Sequence, residues 1–308
     1  MKLRSQSLLL FAVLFAVLHY IPYEFVRAAP GGQSLIIERL RNDGIEYALY
    51  LPGETDRSGR KSARDELLAF DRTFRAARSE VFALHGEREP RSMSVALAGD
   101  ARIFSKLTGR PWYVAGLYEP ESRRLIFQNS AALRRRGILA RTVRHELCHA
   151  LIAETRGTGT RNSSAPAWLE EGYCEALGDL QPANATHANA SQTNPSRDAC
   201  TEYAATIHNK IRAATTLADF AAWLAAGMHL SGAQTNAQVD RRNRRQAFCA
   251  AALFASDWVA NAGRDRAFAY LTGRVQSQPA VQHSTNLAEL ERDYARFRGK
   301  FLRSHVDP

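Results

Sequence analysis

The stretch RTVRHELCHALIAET, residues 141–155, carries His145, Glu146 and His149 in the spacing HExxH. Residues four apart lie one above the other on a helix face, so both imidazoles can reach a single cation. Glu146, beside the first histidine, faces the same opening, where a carboxylate can take a proton from a water polarised by the metal. Two imidazoles leave a coordination sphere incomplete, and a third protein ligand is required. Thr142, Val143, Leu147, Ala150, Leu151 and Ile152 make the rest of the helix largely apolar, which marks it as internal. An internal helix that keeps two histidines and a glutamate needs a partner for them, and a metal ion supplies one.

One way of completing the set is excluded at once. A Gly three and a His six residues after the second histidine would be needed, and those positions hold Ile152 and Thr155. Residues 166–180, PAWLEEGYCEALGDL, read as a second helix opened by Pro166 and carrying Trp168-Leu169-Glu170-Glu171-Gly172. With HExxH upstream, this W-L-x-E-G segment resembles the gluzincin metallopeptidases, the group containing thermolysin and the aminopeptidase N family. The resemblance covers about residues 92–261. It implies Zn²⁺ as cofactor, Glu171 as third ligand with Glu170 at the variable position, and hydrolysis of a peptide or protein substrate with Glu146 as the base. The interval from His149 to Glu171, 171 − 149 = 22 residues, is a little longer than the family's usual spacing. The Gly/Ser/Thr/Asn-rich stretch 157–164 can absorb the excess.

Glu175 follows Glu171 by one turn and fits the carboxylate that accepts the remaining N–H of a ligating histidine, fixing its tautomer. An acidic residue at that position in thermolysin-like members agrees. The resemblance also makes Ala115, Gly116 and Leu117 a candidate shelf for the substrate backbone, since gluzincins use an edge strand upstream of the active helix in this way. A plain sheet hairpin is an equal reading of those three residues. Gluzincins commonly add a Tyr or His near the oxyanion, and Tyr173, Tyr203 and His208 are candidates that no motif separates.

The elements that must position these residues define an α+β chain. A small mixed β-sheet leads to the active-site helix, and an all-helical C-terminal half follows, a zincin-like layout. Strands are expected at 34–40 and 45–51 around Asn42-Asp43-Gly44, at 92–98, and in a second hairpin pairing 112–118 with 124–128. Helical periodicity marks 63–84, and a turn or short helix is expected at 103–110. Beyond the metal helices, helices are expected at 198–213, 216–226, 244–261, 265–275 and 286–302, the last opened by Asn286 and Glu289 as a capping box. The division is residues 1–28, 29–90 with the first hairpin and helix, 91–180 with the catalytic motifs, and 181–308.

Lys2 and Arg4 precede the apolar run 8–18, and Val26-Arg27-Ala28 offers a cleavage site, so 1–28 read as an export signal. The expected location is periplasmic or secreted, with a membrane anchor only if that segment stays uncleaved. The net charge of +10 rests on arginine, lysine occurring five times, and it is spread in short runs at 134–136, 241–242 and 244–245. No basic face with interleaved aromatics emerges, and no nucleic-acid partner is expected. The four cysteines contain no CxxC, and an even count in an exported chain favours disulfides. Cys148 lies three residues after His145 and Cys174 three after Glu171, so each flanks the metal-facing stripe of its own helix on the same side. That favours Cys148–Cys174, leaving Cys200–Cys249. The other two connectivities, and four unbonded thiols, remain open at this level. Two other functions remain as well: a non-catalytic binding protein retaining the fold, and a hydrolase of a non-peptide amide or ester.

Overall fold

The computed structural model describes residues 35–53, 57–90, 92–156, 165–179, 200–228, 237–274 and 281–304. The expected export signal at 1–28 and the polar stretches 157–164 and 181–197 lie outside the described residues. Strands β1 (Leu35–Asn42) and β2 (Ile45–Pro52) pair antiparallel, with Asn42 opposite Ile45. Asp43 and Gly44 between them have φ of 48° and 74°. Two successive positive values define the tight turn whose twist suits a hairpin, and Asp-Gly is a preferred sequence for it.

Helix α1 (Arg57–Ala83) carries the chain over the sheet to β3 (Met93–Ala98), which lies parallel to β2. After α2 (Ala101–Thr108), β4 (Gly116–Glu119) and β5 (Arg124–Phe127) complete a five-stranded mixed sheet in the order β1-β2-β3-β5-β4. β5 is parallel to β3, and β4 is an antiparallel edge strand. The fold is α+β, a mixed sheet followed by a mainly helical remainder.

Leu67, Phe70, Phe74, Ala77 and Val81 recur on one stripe of α1 and are buried on the sheet. Phe70 and Phe74 meet the Tyr47 ring edge-on, with centroids 6.2 and 5.9 Å away. The Tyr47 hydroxyl donates to Asp71 at 2.7 Å, so the phenol is buried with its polar end satisfied. On the opposite face α2 sets Ile103 and Phe104 against Ala96, Ala98 and Ile126. Asp100 caps α2 by accepting the Ile103 N–H at 2.8 Å, and Gly109 ends it at φ 67°.

A short helix that periodicity does not reveal, α3 (Ser130–Arg135), is capped by Asn129 and turns through Gly137 into α4 (Leu139–Arg156). Helix α5 (Ala167–Gly178) follows, with Pro166 at its N-cap. The C-terminal half contains α6 (Ala204–Ala213), α7 (Leu217–Met228), α8 (Ala237–Ala262), α9 (Arg264–Thr272) and α10 (Val281–Ser304). Thr216 and Asp219 cap α7 reciprocally, each side chain accepting the other's backbone N–H at 3.1 Å.

Several boundaries differ from expectation, α1 starting at Arg57 rather than 63 and α6 at Ala204 rather than 198. α8 begins seven residues earlier than expected, at Ala237. α10 begins at Val281, so Asn286 sits inside the helix rather than at its start, while Glu289 pairs with Arg266 at 2.5 Å. β4 begins at Gly116 rather than at 112, because Gln128 takes the preceding segment out of the ladder. Its side-chain amide donates to the carbonyls of Trp112 and Val114.

Trp168, Phe220, Phe254, Tyr294 and Phe297 form one aromatic cluster that joins α5, α7, α8 and α10. Gly172 permits the closest approach in this half: a Cβ there would stand 2.5 Å from the Ala251 carbonyl oxygen of α8. No described helix is long and apolar enough to cross a membrane.

Candidate metal centre

Helices α4 and α5 cross so that His145, His149 and Glu171 converge. The two imidazole Nε2 atoms are 3.2 Å apart, and each is 3.5 Å from Glu171 Oε2. Ligands held at about 2.0–2.2 Å around a common tetrahedral ion stand about 3.3–3.6 Å from one another. The three edges therefore fit a single ion, and two imidazoles with one carboxylate form a donor set for a divalent metal. These three residues are a candidate metal site.

Each histidine is braced from behind by a carboxylate and an arginine. His149 Nδ1 lies 2.9 Å from Glu170 Oε1, and Arg156 holds the other oxygen of Glu170 at 2.7 Å. Arg156 also donates to the Leu271 carbonyl at 2.8 and 2.9 Å, which ties this support to α9. His145 Nδ1 lies 3.2 Å from Glu175 Oε2, off the line of a straight hydrogen bond. Arg141 binds Glu175 and reaches Asp179 at 2.5 Å. Glu175 thus lies beside the Nδ1 of His145, one turn after Glu171. Glu170 behind His149 was not foreseen, nor were the two arginines. The available signal was the spacing on α4, with Arg141 four residues before His145 and Arg156 seven after His149.

The charges follow from this packing. Burial pushes the His145 imidazole down, but Glu171 and Glu175 outweigh it and raise the ring to about 9. His149 is also buried, and Glu171 and Glu170 raise it well above the ordinary value. Burial would raise Glu171 and Glu175 in turn. The two histidines hold Glu171 well below the usual carboxylate range, and Arg141 with His145 brings Glu175 to about 2. Glu146 goes the other way, since burial raises it more than the nearby histidines lower it.

The backbone N–H of Tyr118 on β4 is close enough to Glu146 to oppose part of that rise. The strand can come this close only because residue 116 is glycine. A Cβ there would lie 2.8 Å from Glu146 Cγ and 2.9 Å from its Oε1. Gly116 and Leu117 are therefore on the edge strand over α4, whereas Ala115 lies just ahead of it, and all three line a cleft of about 1080 Å³. Of the three oxyanion candidates only Tyr203 lines this cleft. Tyr173 faces away and meets His85 Nε2 at 2.7 Å, and His208 is buried near the Phe301 ring.

Cys148–Cys174 and Cys200–Cys249 are disulfides with Cα atoms 5.4 and 5.6 Å apart. The first joins α4 to α5 directly behind the triad, and the second ties the start of the helical half to α8. Two disulfides are consistent with a protein outside the cytoplasm. No known protein-family profile matches the chain, and no curated protein matches it in sequence.

Proposed function

We propose that the chain is an exported zinc-dependent metallopeptidase of the gluzincin type. The observation that carries the reading is the triad of ligand atoms 3.2, 3.5 and 3.5 Å apart, with a buried glutamate adjoining it in a large cleft. Two imidazoles and a carboxylate, leaving a fourth position open, suit catalytic zinc among the divalent metals. When bound, such an ion supplies an electrophilic centre for a carbonyl oxygen and makes water acidic near neutral pH.

The chain's own groups then have distinct tasks. Glu170 bonds the Nδ1 side of His149 and Glu175 faces that of His145, which would leave Nε2 of each as a lone pair for the metal. Glu146 is the proton carrier. Its raised affinity for a proton suits a carboxylate that takes one from water and returns it to a leaving amine. Gly116 lets the edge strand lie against Glu146. β4 is an edge strand among the described residues, so an extended peptide can add to it as a further strand, and this pairing favours a peptide over a small amide or ester.

The test is to purify the exported protein, measure its metal content, and assay hydrolysis of unstructured protein substrates with Glu146→Gln as control. About one zinc per chain and hydrolysis that Glu146→Gln abolishes support the reading. Zinc with hydrolysis of small esters or amides only would move the protein to another class of hydrolase.

A further inference from the structure

The cleft is lined by eight arginines and seven glutamates, and they are matched unevenly along its length. Arg123 pairs with Glu154, Arg156 with Glu170, and Arg141 with Glu175 and Asp179. Arg110, Arg136, Arg241, Arg244 and Arg245 are left over. Among the residues whose side chains are described, none of these five forms an ion pair within 4.0 Å.

Two of them are nonetheless positioned by aromatic rings. The Arg241 guanidinium stands over the Trp112 ring at 5.5 Å, and Arg244 stands over Phe248 at 5.2 Å. Stacking on a ring face leaves the N–H edges of a guanidinium available to an in-plane acceptor. Burial and the charges of Arg241 and Arg245 hold the Arg136 guanidinium below its ordinary value. Like charges crowded in a cleft raise the local concentration of anions, and a carboxylate matches the guanidinium fork.

Geometry gives this cluster a place relative to a substrate. β4 and α4 run side by side in the same direction. Gly116 abuts Thr142 and Glu146, while Arg123, past the end of β4, meets Glu154 near the end of α4. The residues before Gly116 therefore lie toward the N-terminal end of α4, beside the arginines. An extended peptide added antiparallel to β4, the more stable pairing per residue, runs from the Glu119 side to the Gly116 side. Its C-terminal portion then arrives at the cluster. His145 lies six residues into α4, about 9 Å along the axis. That distance is about three residues of extended peptide.

We infer that these arginines form a carboxylate-binding wall, so that the cleft selects peptides with an acidic group about three residues beyond the scissile bond on its C-terminal side. The inference takes its substrate from the peptidase reading above. An Asp or Glu side chain and a free chain end both present a carboxylate there. The wall serves specificity and takes no part in the chemistry at the metal.

The test uses the Arg136→Gln/Arg241→Gln double variant, both side chains being exposed. One series of long peptides carries Glu or Gln at the third position after the cleaved bond. A second series ends at that position with a free or an amidated C-terminus. In the parent protein kcat/KM should favour the charged member by about tenfold or more, the effect of one charge-assisted hydrogen bond. In the variant the preference should shrink to about twofold, with uncharged peptides handled as before. A preference confined to the Glu series assigns the wall to side chains, and one confined to free ends assigns it to the chain terminus. No preference in the parent, or one that survives in the variant, overturns the proposal. Binding of the same peptides, fluorescently labelled, to Glu146→Gln protein gives a readout without turnover. Arginine-dependent preference in binding with no hydrolysis of any peptide by the parent would overturn the peptidase reading and leave the wall standing. Equal binding of charged and uncharged members would overturn the wall.

Discussion

Glu170 and Glu171 are neighbours in the chain, and they meet opposite ends of one imidazole. Glu170 Oε1 lies 2.9 Å from Nδ1 of His149, and Glu171 Oε2 lies 3.5 Å from its Nε2. Successive residues on a helix point about 100° apart, and the His149 ring bridges the gap between the two carboxylates. The two carboxylates should therefore fail differently. Glu171→Ala removes a ligand and should abolish stoichiometric metal binding, whereas Glu170→Ala should keep the site but weaken it by about 10–100-fold. Competition titration with a chromophoric chelator measures both. Full metal in Glu171→Ala with loss in Glu170→Ala would reverse the assignment.

Glu146→Gln keeps the size of the side chain and leaves all three ligands in place. Metal content should match the parent, while turnover falls by at least the 10²–10⁴ (order of magnitude) that general acid–base catalysis contributes. Elemental analysis and a peptide-hydrolysis assay on one preparation check this. Undiminished hydrolysis would assign the activity elsewhere.

Gly116→Ala tests the contact between edge strand and base. The added methyl would meet Glu146 at 2.8–2.9 Å, so strand or carboxylate must give way. Overpacking of this kind costs about 1–3 kcal/mol. The melting temperature should drop and turnover should fall at least tenfold in parallel, while metal binding stays near the parent's. A variant of normal activity would show that β4 need not touch Glu146.

The ionisations predict a strong pH dependence of metal binding. His145, raised to about 9, and His149, raised well above 6.5, should both favour the protonated form near neutral pH when no metal is bound. The ion must displace both, so about two protons should be released per ion, and affinity should rise with pH up to about 9. Without metal, the raised His145 contributes stability that is fully present below 6.5 and is lost as pH rises through about 9. Glu175, lowered to about 2, contributes stability above 4.5 that is lost as pH falls through about 2. Calorimetry in buffers of different ionisation enthalpy counts the protons. A count near zero would mean that both rings are neutral beforehand.

Cys148–Cys174 spans a sequence separation of 26, worth about 3.5 kcal/mol in the chain-entropy account of cross-links. The paired Ser variant should melt several degrees lower and bind metal more weakly, because α4 and α5 then hold three ligand atoms without their covalent tie. Reduced affinity with an unchanged melting temperature would limit the bridge to positioning.

The chemistry that sits on one helix was legible in the sequence. His145, Glu146 and His149 need only the repeat of α4, and the Asp43-Gly44 turn needs only two residues. The Cys148–Cys174 bridge followed from rotation about two helix axes. Glu170, Arg141 and Arg156 were hidden because their partners depend on how α4 and α5 cross, which spacing along one helix does not encode. Trp112–Ala115 alternates like a strand, but a single side chain, Gln128, takes its carbonyls out of the ladder. Asn286 and Glu289 have the types and spacing of a cap, yet nothing in 281–285 stops a helix, so α10 simply starts earlier. Tyr203 could be told from Tyr173 and His208 only once the cleft was formed.

The braces behind the histidines have a further consequence when charges are counted over the whole cluster. Glu146, Glu170, Glu171, Glu175 and Asp179 against Arg141 and Arg156 leave 5 − 2 = 3 negative charges among them. Two imidazolium protons offset two of these, and so does one divalent cation. Loading the site therefore exchanges equal charge. The chain should then complete its fold with protons in the seat of the ion, and chelation should return it to that state rather than unfold it.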